Sequence, residues 1–233
     1  MIFFRKITKW ALTVMTAVLL FTIFQVLVFR WIPVLRTPLM VQRSRENRSD
    51  KKYHTHYKWV PLSDISSAMV MAVIASEDNR FMEHSGFDWI EIEKALNKEN
   101  RARVRGASTI SQQTAKNVFL LPARSWIRKG MEAYYTILIE ILWGKQRIME
   151  VYLNVAEMGK GIYGAEAAAQ YYYKKPAAKL TSLEAAMVAA CLPNPLKRNP
   201  VKPTTYLLAR QAQIQNLMGK VATPDFLNRE KKT

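Results

Sequence analysis

The chain of 233 residues is long enough for one ordinary domain with an appendage and for a buried core. Lys and Arg total 35 against 18 Asp and Glu, a formal net charge of +17, so a polyanionic partner is expected: nucleic acid, anionic lipid or a phosphorylated substrate. Cys191 is the only cysteine, which excludes an intrachain disulfide and a zinc site built from cysteines.

The N-terminal segment predicts a membrane anchor. The run from Trp10 to Phe29 carries no charge and is long enough to cross about 30 Å of hydrocarbon as a helix. A cleaved signal peptide is the alternative, but the run is too long for a typical signal core and no small-x-small cleavage site follows it. We therefore predict a tail over 1–9 and a transmembrane helix over 10–30. Basic residues on both sides of the span leave its orientation open.

The remaining chain divides by composition at about residue 57. Residues 31–57 are polar, strongly basic and without periodicity, which indicates a juxtamembrane linker that lies over anionic headgroups or is merely solvated. Residues 58–233 read as helices joined by loops, without a run of alternating strands, and so predict one mainly α domain.

Capping residues mark the start of each predicted helix. Alternatives remain open at two of the starts, and two of the helices have a glycine stop. In chain order the caps are Ser63 or Asp64 (helix to about Ser76), Asp88, Ser108 or Thr109, Ser125 (to Gly144), Thr181 paired reciprocally with Glu184, and Thr204 (to Gly219).

An acidic corner interrupts this basic chain in the stretch ASEDNRFMEHSGFD, residues 75–88. Glu77 and Asp78 fall where one predicted helix ends, and Gly86 then releases the chain before the next cap. A carboxylate at a helix end beside apolar residues is a plausible general base, because partial burial makes it more basic. The alternative is that both acids only pair with Arg80 or cap the neighbouring helix.

A polar stripe follows in GASTISQQTAKN. Thr109, Gln113 and Lys116 recur at four and three residues, so a hydroxyl, an amide and an ammonium group share one helix face. The stripe is too polar for a core and too poor in charge for an ordinary solvated face. It therefore indicates the lining of a cleft.

The stretch RKGME places two cations beside one acid. Arg128 and Lys129 precede Glu132 by four and three residues, so all three lie on one side of a helix. They form either a surface ion pair or a cationic patch that could hold a pyrophosphate, with an acid at its edge.

Transfer of a sugar from pyrophosphate needs this mixture of groups. Pyrophosphate leaves as a weak base and needs cations, whereas the attacking hydroxyl must lose a proton to a base. A glycosidase differs, because its alkoxide leaving group usually needs a carboxylic acid to protonate it.

Five stretches, in order and spread from about residue 59 to residue 200, together resemble the motifs of the peptidoglycan glycosyltransferase family. They are EDNRFMEHSG, GASTISQQTAKN, RKGME, KQRIMEVYLN with GKGIYGAEAAAQYY, and LEAAMVAACLPNPLKRNP. The resemblance is greatest to its monofunctional, membrane-anchored biosynthetic members. It implies a mainly α, lysozyme-like catalytic domain with a small lobe at the membrane surface, preceded by one transmembrane helix.

The resemblance also implies roles for single residues. Glu77 would be the general base for the acceptor sugar's 4-hydroxyl, with Asp78 helping to hold it, and Glu132 would be the second essential glutamate. Lys116, Arg128 and Lys129 would bind the donor's pyrophosphate. The other implied positions are polar groups of the cleft and of the fourth motif: Ser108, Gln112, Gln113, Asn154, Gly159, Gly161 and Gly164.

The activity so implied is polymerisation of lipid II into β-1,4-linked glycan, with inversion and release of undecaprenyl pyrophosphate, often assisted by Mg²⁺ or Mn²⁺. The expected partners are lipid II, the growing lipid-linked chain, the membrane and other cell-wall synthesis or division proteins, and not nucleic acid. The expected location is the bacterial inner membrane, with residues 1–9 cytoplasmic and residues 58–233 periplasmic.

Several points stay open at this stage. A lysozyme-like glycan hydrolase and a non-catalytic membrane-anchored scaffold are the alternative functions. Glu140 and Glu157 are interpreted as serving packing or loop order rather than chemistry. Residues 117–126, NVFLLPARSW, have the composition of a surface that dips into a membrane, and a buried loop would fit equally well.

Overall fold

Helices form most of the chain in the computed structural model, which describes residues 2–97, 108–123 and 125–229. Their bounds are α1 Ile2–Trp31, α2 Pro38–Glu46, α3 Ser67–Glu77, α4 Trp89–Asn97, α5 Ile110–Phe119, α6 Trp126–Leu142, α7 Gly144–Val155, α8 Ala165–Ala168, α9 Ser182–Cys191, α10 Thr205–Met218 and α11 Asp225–Arg229. Short 3₁₀ turns cover Leu62–Asp64 and Ala177–Lys179, and a π-helical turn covers Ala169–Tyr173. The prediction of a mainly α chain is confirmed.

Most of the predicted helix starts are confirmed by side-chain caps. Asp88 Oδ1 accepts hydrogen bonds from the backbone N–H groups of Ile90 and Glu91, at 3.1 and 3.0 Å. The other predicted caps that accept such a bond are Thr109, Ser125, Thr181 and Thr204.

The predicted cap of α3 is wrong. Ser63 and Asp64 lie in the preceding 3₁₀ turn, and the Oγ of Ser66 accepts the bond from Met69 N–H at 3.2 Å. Ile65 between them is buried in an extended conformation, which ends the 3₁₀ turn before α3 can begin. The cap therefore lies three residues after the first predicted one, and the helix runs from Ser67 to Glu77.

The N-terminal helix α1 is long and apolar enough to cross a membrane, with a mean hydropathy of 2.4 over its most apolar window. It begins at Ile2, so residues 2–9, predicted as a tail, continue the same helix. Its C-terminal half is bonded to the domain: Trp143 Nε1 donates to the carbonyl of Val26 at 2.7 Å, and Arg147 donates to the carbonyls of Phe29 and Ile32. The anchor is therefore fixed to α6 and α7.

The segment interpreted as a linker contains regular structure. Helix α2 is capped by Thr37, whose Oγ1 accepts from Met40 N–H at 3.2 Å, and Met40 itself is buried. Apolar positions 39–41 are consecutive, so they form no helical stripe that the sequence pattern could reveal.

A small sheet joins the two ends of the same segment to the domain. Its order is β1-β3-β2, with β1 (His56–Tyr57) parallel to β3 (Ile162–Tyr163) and β2 (Glu157–Gly159) antiparallel to it. The Tyr57 hydroxyl donates to the carbonyl of Val34 at 2.5 Å. The start of the segment is therefore bonded to its end, and α2 lies against α5.

Helices α3 and α9 pack together at the centre of the core, with α10 covering both. Both central helices are apolar on nearly every face, as expected of fully buried helices. Their alanines, including Ala72, Ala186 and Ala190, are fully buried and allow close approach. Helices α5, α6 and α7 pack against one another as a second group. The C-terminal end of α3 lies where the two groups of helices meet.

Asn154 on α7 holds residue 60 in place from inside the domain. Its Oδ1 accepts from Val60 N–H at 3.0 Å, and its Nδ2 donates to the carbonyls of Val60 and Glu150, each at 2.9 Å. The side chain is 1% exposed, so these backbone groups have no access to water if it is removed.

We expect Asn154→Ala to lower the free energy of unfolding by about 2–4 kcal/mol, because the N–H and C=O of Val60 lose their buried partner. The melting temperature should fall by on the order of 5–15 °C. Asn216→Ala, an exposed amide on α10, is the matched control and should change little. Equal melting temperatures for the two variants would contradict the assignment.

Candidate active site

Glu77 is the last residue of α3 and is half-buried. Its Oε2 accepts a hydrogen bond from Gln113 Nε2 at 3.0 Å, and its Oε1 lies 3.2 Å from the hydroxyl of Ser76. The predicted alternative, pairing with Arg80, does not occur, because Arg80 binds Glu83 and Asp88 instead. Among the described residues, the Glu77 carboxylate is thus held by neutral donors.

The orientation of Gln113 is fixed from the core. Tyr152 is 1% exposed, and its hydroxyl donates to Gln113 Oε1 at 3.5 Å, which turns the amide nitrogen toward Glu77. Burial raises the pKa of Tyr152 well above its ordinary value, and the charges of Glu77 and Asp78 act in the same direction. Tyr152 therefore stays a neutral donor at any working pH.

Asp78 has its two oxygens engaged by the protein. Oδ1 accepts from His84 Nε2 at 2.9 Å, and Oδ2 accepts from the backbone N–H of Ile110 at the start of α5, at 3.0 Å. The carboxylate thus joins the end of α3 to the beginning of α5. The implied role of Asp78 in holding Glu77 stays a prediction.

The turn between α3 and α4 requires a glycine. Gly86 has a φ of 93°, and a Cβ there would lie 2.8 Å from Thr136 Cγ2. Its carbonyl accepts from the Thr109 hydroxyl at 2.6 Å, so the turn is bonded to the N-terminus of α5.

Glu132 on α6 gathers the predicted cations. The residue is 3% exposed; Lys129 Nζ donates to its Oε1, and Arg128 Nη1 donates to its Oε2 at 3.4 Å. Both predicted i,i+3 and i,i+4 pairs are therefore present around a buried carboxylate, with Arg128 partly buried and Lys129 exposed.

Lys116 on α5 connects the two parts of the site. Burial lowers the pKa of its ammonium group, repulsion from Arg128 and Lys129 adds to the fall, and attraction to Glu132 and Glu77 opposes it. Lys116 lines one cleft with Arg128.

Two clefts flank this arrangement. One, of about 230 Å³, contains Glu77, Asn79, Ser108 and Arg210. The other, of about 420 Å³, contains Lys116 and Arg128 together with apolar residues. Helix α5 contributes to both, because Thr109 at its start lines the first cleft and Lys116 lines the second.

Two of the predicted cleft residues face elsewhere. Gln112 is 5% exposed and completes a capping box with Thr109, whose backbone N–H donates to its Oε1 at 3.0 Å. Asn154 is bonded only to the backbone of neighbouring segments, as described above. Gln113, Lys116, Arg128, Lys129 and Glu132 are brought together with Glu77, and Ser108 lies at the rim of the first cleft.

The part of the chain adjoining the second cleft exposes large apolar side chains. Leu121, Trp126 and Ile127 are 73%, 92% and 81% exposed. Of the two interpretations of residues 117–126, a surface that dips into a membrane fits these values and a buried loop does not.

Comparison with known proteins identifies the family to which this chain belongs. The family model described as Transglycosylase matches residues 45–219. A biosynthetic peptidoglycan transglycosylase of Bacteroides thetaiotaomicron is 56% identical over 98% of this chain and 92% of its own length. Proteins with the same description from Bdellovibrio bacteriovorus and Shigella boydii are 50% and 47% identical, over 91% and 96% of this chain and 86% and 94% of their own lengths.

The chain belongs to the transglycosylase family. It is a glycosyltransferase with a lysozyme-like catalytic domain behind one apolar N-terminal helix, and the resemblance drawn from the five motifs is confirmed. The acid and the cations described above come from the motifs of this transglycosylase domain.

Sequence reasoning missed several residues of the transglycosylase site. Tyr152, which orients Gln113, lies within the fourth motif, yet only its distance in the fold reveals its role. Arg210 on α10 lines the first cleft and donates to the carbonyl of Ser76 at 3.4 Å. Glu140, by contrast, was interpreted as a packing residue, and it accepts from Ser111 Oγ and Lys145 Nζ at 2.5 and 2.7 Å.

Within the described residues, Asp78, His84 and Asp88 form the group whose spacing could hold a metal ion. The backbone N–H of Gly86 donates to His84 Nδ1 at 3.2 Å, so the ring proton is on Nε2 and is directed at Asp78. Asp88 Oδ1 already caps α4 and lies 3.4 Å from Arg80. The group therefore does not fit Mg²⁺ or Mn²⁺, which need free oxygen ligands.

We expect Lys116→Met to raise the melting temperature by about 2–4 °C at neutral pH, because a buried cation with a lowered pKa opposes folding. The sign follows from linkage: the wild-type protein regains stability as the pH rises from the lowered pKa toward the ordinary 10.5, where the amine is neutral in both states. The difference should therefore shrink toward pH 10.

Thermal unfolding of the two proteins across this pH range, with Lys179→Met as an exposed control, would measure the effect. A lower melting temperature for Lys116→Met than for Lys179→Met would contradict the electrostatic account of the cluster.

Proposed function

We propose that this glycosyltransferase polymerises lipid II into β-1,4-linked glycan strands and releases undecaprenyl pyrophosphate. The observation that carries the proposal is the arrangement along α5, where Gln113 binds one carboxylate base and Lys116, three residues later, lines a cleft with the cation Arg128. This is the division of labour that transfer from a pyrophosphate requires. The names of the relatives support lipid II and a growing glycan chain as the substrates.

In the proposed reaction Glu77 removes the proton from the acceptor's 4-hydroxyl as its oxygen attacks the donor's anomeric carbon. The bond from that carbon to the pyrophosphate oxygen breaks on the opposite side, which inverts the configuration. Lys116, Arg128 and Lys129 stabilise the charge on the departing pyrophosphate, so no acid is needed to protonate it. Glu132 holds the last two cations in position.

The membrane geometry supports a lipid-linked substrate. Helix α1 is bonded to α6 and α7, and the apolar side chains of Trp126 and Ile127 are exposed next to the cationic cluster. A substrate held in the bilayer by its own lipid would therefore reach the cleft without leaving the membrane. In the proposed topology the N-terminus is cytoplasmic and the catalytic domain periplasmic, at the inner membrane.

A divalent ion, Mg²⁺ or Mn²⁺, is part of the proposal only as a companion of the pyrophosphate. Asp78, His84 and Asp88 are engaged with protein donors, and Glu132 is engaged with its cations, so neither supplies a ready ligand set. When bound, such an ion would add positive charge beside the leaving group.

Glu77→Gln should reduce polymerisation of lipid II by about 10²–10⁴-fold, because the amide cannot accept the proton. Purified, detergent-solubilised protein is incubated with labelled lipid II, and the products are separated by size before and after digestion with a muramidase. Glu83→Gln, an exposed acid six residues away, is the control for charge and should retain activity.

Three outcomes separate the candidate functions. The proposal is supported if wild type and Glu83→Gln make muramidase-sensitive polymer and Glu77→Gln does not. Cleavage of finished glycan without polymer from lipid II would favour a hydrolase, and binding of lipid II without turnover by folded wild type would favour a scaffold.

A further inference from the structure

The cleft that contains Lys116 and Arg128 has a wall that none of the five motifs includes. Leu39 and Arg43 of α2 line it, four residues apart and therefore on one face of that helix. Both precede residue 45, where the match to the family model begins. The composition of this segment had indicated only a linker.

Buried polar atoms in this cleft lack partners. Arg43 Nε and Glu157 Oε1 are 3.6 Å apart, too far for a hydrogen bond, and neither has another hydrogen-bond partner among the described residues. Arg128 Nε also has no hydrogen-bond partner among the described residues. The side chain of Glu157 is 10% exposed. Since such atoms are normally bonded, two unsatisfied guanidinium N–H groups in one cleft indicate an anionic ligand.

The rest of the lining describes the other end of that ligand. Leu39, Leu120, Pro122 and Ala123 complete the cleft with apolar surface. A second cavity beside α2 is lined by Phe29 of the anchor helix and by Leu121, which is 73% exposed, together with Arg36 and Arg45. The matching ligand is therefore anionic at one end and hydrocarbon at the other, with the hydrocarbon directed along α2 to the membrane helix.

We propose that Arg43 is a further binding residue for the pyrophosphate of the lipid-linked donor, and that α2 guides the first isoprenoid units of its lipid toward the membrane. This proposal rests on the function proposed above. Arg43 adds a fourth cation to Lys116, Arg128 and Lys129, on the side of the cleft that faces the anchor.

Glu157 and Glu46 are suited to keep Arg43 ready for a ligand. Glu46 Oε2 accepts from Arg43 Nη1 at 3.0 Å, which orients the guanidinium and leaves Nε free. Burial raises the pKa of the Glu157 carboxyl, and the charge of Arg43 opposes the rise. The Arg43–Glu157 contact is thus a loose ion pair that a pyrophosphate oxygen can replace at Nε.

The test compares Arg43→Ala with Arg48→Ala, which removes the same charge from an exposed position two residues after that helix and outside both cavities. Full-length proteins in detergent are titrated with undecaprenyl pyrophosphate, and polymerisation of lipid II is measured in parallel. Arg43→Ala should weaken binding by about 10-fold, the loss of one charge-assisted contact, and Arg48→Ala by less than about 2-fold. Arg43→Lys should recover part of the loss.

Glu157→Gln separates binding from structure, because it removes the ion pair and keeps the arginine. It should bind undecaprenyl pyrophosphate as well as wild type or better. A loss as large as that of Arg43→Ala would mean that Arg43 only supports the fold, and equal binding by Arg43→Ala and Arg48→Ala would also overturn the inference. Wild type that makes no polymer would instead overturn the proposed function, so the two failures are distinct.

Discussion

The rest of the site depends on the ion pairs that the buried carboxylate of Glu132 forms with Arg128 and Lys129. Removing a charge from water costs several kcal/mol, and in this fold the cost is offset by Arg128 and Lys129, one helical turn earlier on the same face of α6. Burial lowers the pKa of Lys116, and the same two cations repel its ammonium group. The protein therefore keeps excess positive charge in a partly dry cleft, where a pyrophosphate would neutralise it more effectively than water does.

Helix α5 converts that charge cluster into an active site. Gln113 and Lys116 are three residues apart, roughly 4.5 Å along the helix axis, so the contact to the base and the contact to the cations have a fixed separation. The helix is itself positioned at its first turn by Asp78, Gln112 and the Gly86 carbonyl. Residues that do not touch substrate thus determine where the reacting groups lie.

Local patterns predicted much of this, and tertiary contacts account for what they missed. The caps Asp88, Thr109 and Ser125 and the Arg128–Lys129–Glu132 spacing depend on neighbours within one helical turn, so the sequence reveals them. Asn154 binds Val60, 94 residues earlier, and only the fold brings them together.

Gln112 illustrates a different difficulty. The pattern Thr-x-x-Gln is a capping-box signature, but the position of Gln112 in a family motif led us to expect a role in the cleft. Helix α2 escaped notice because its apolar residues are consecutive, and its packing against α5 follows only from the fold.

The most direct test of the electrostatic account is the affinity of Glu132→Gln for undecaprenyl pyrophosphate, with Glu83→Gln as the control that adds the same charge at an exposed site. If Glu132 acts by holding Arg128 and Lys129 in place, the variant binds the anion more weakly than wild type although its net charge is more positive. Binding by Glu132→Gln that equals or exceeds that of Glu83→Gln would contradict the account, because the cleft would then need only positive charge and not the buried carboxylate that organises it.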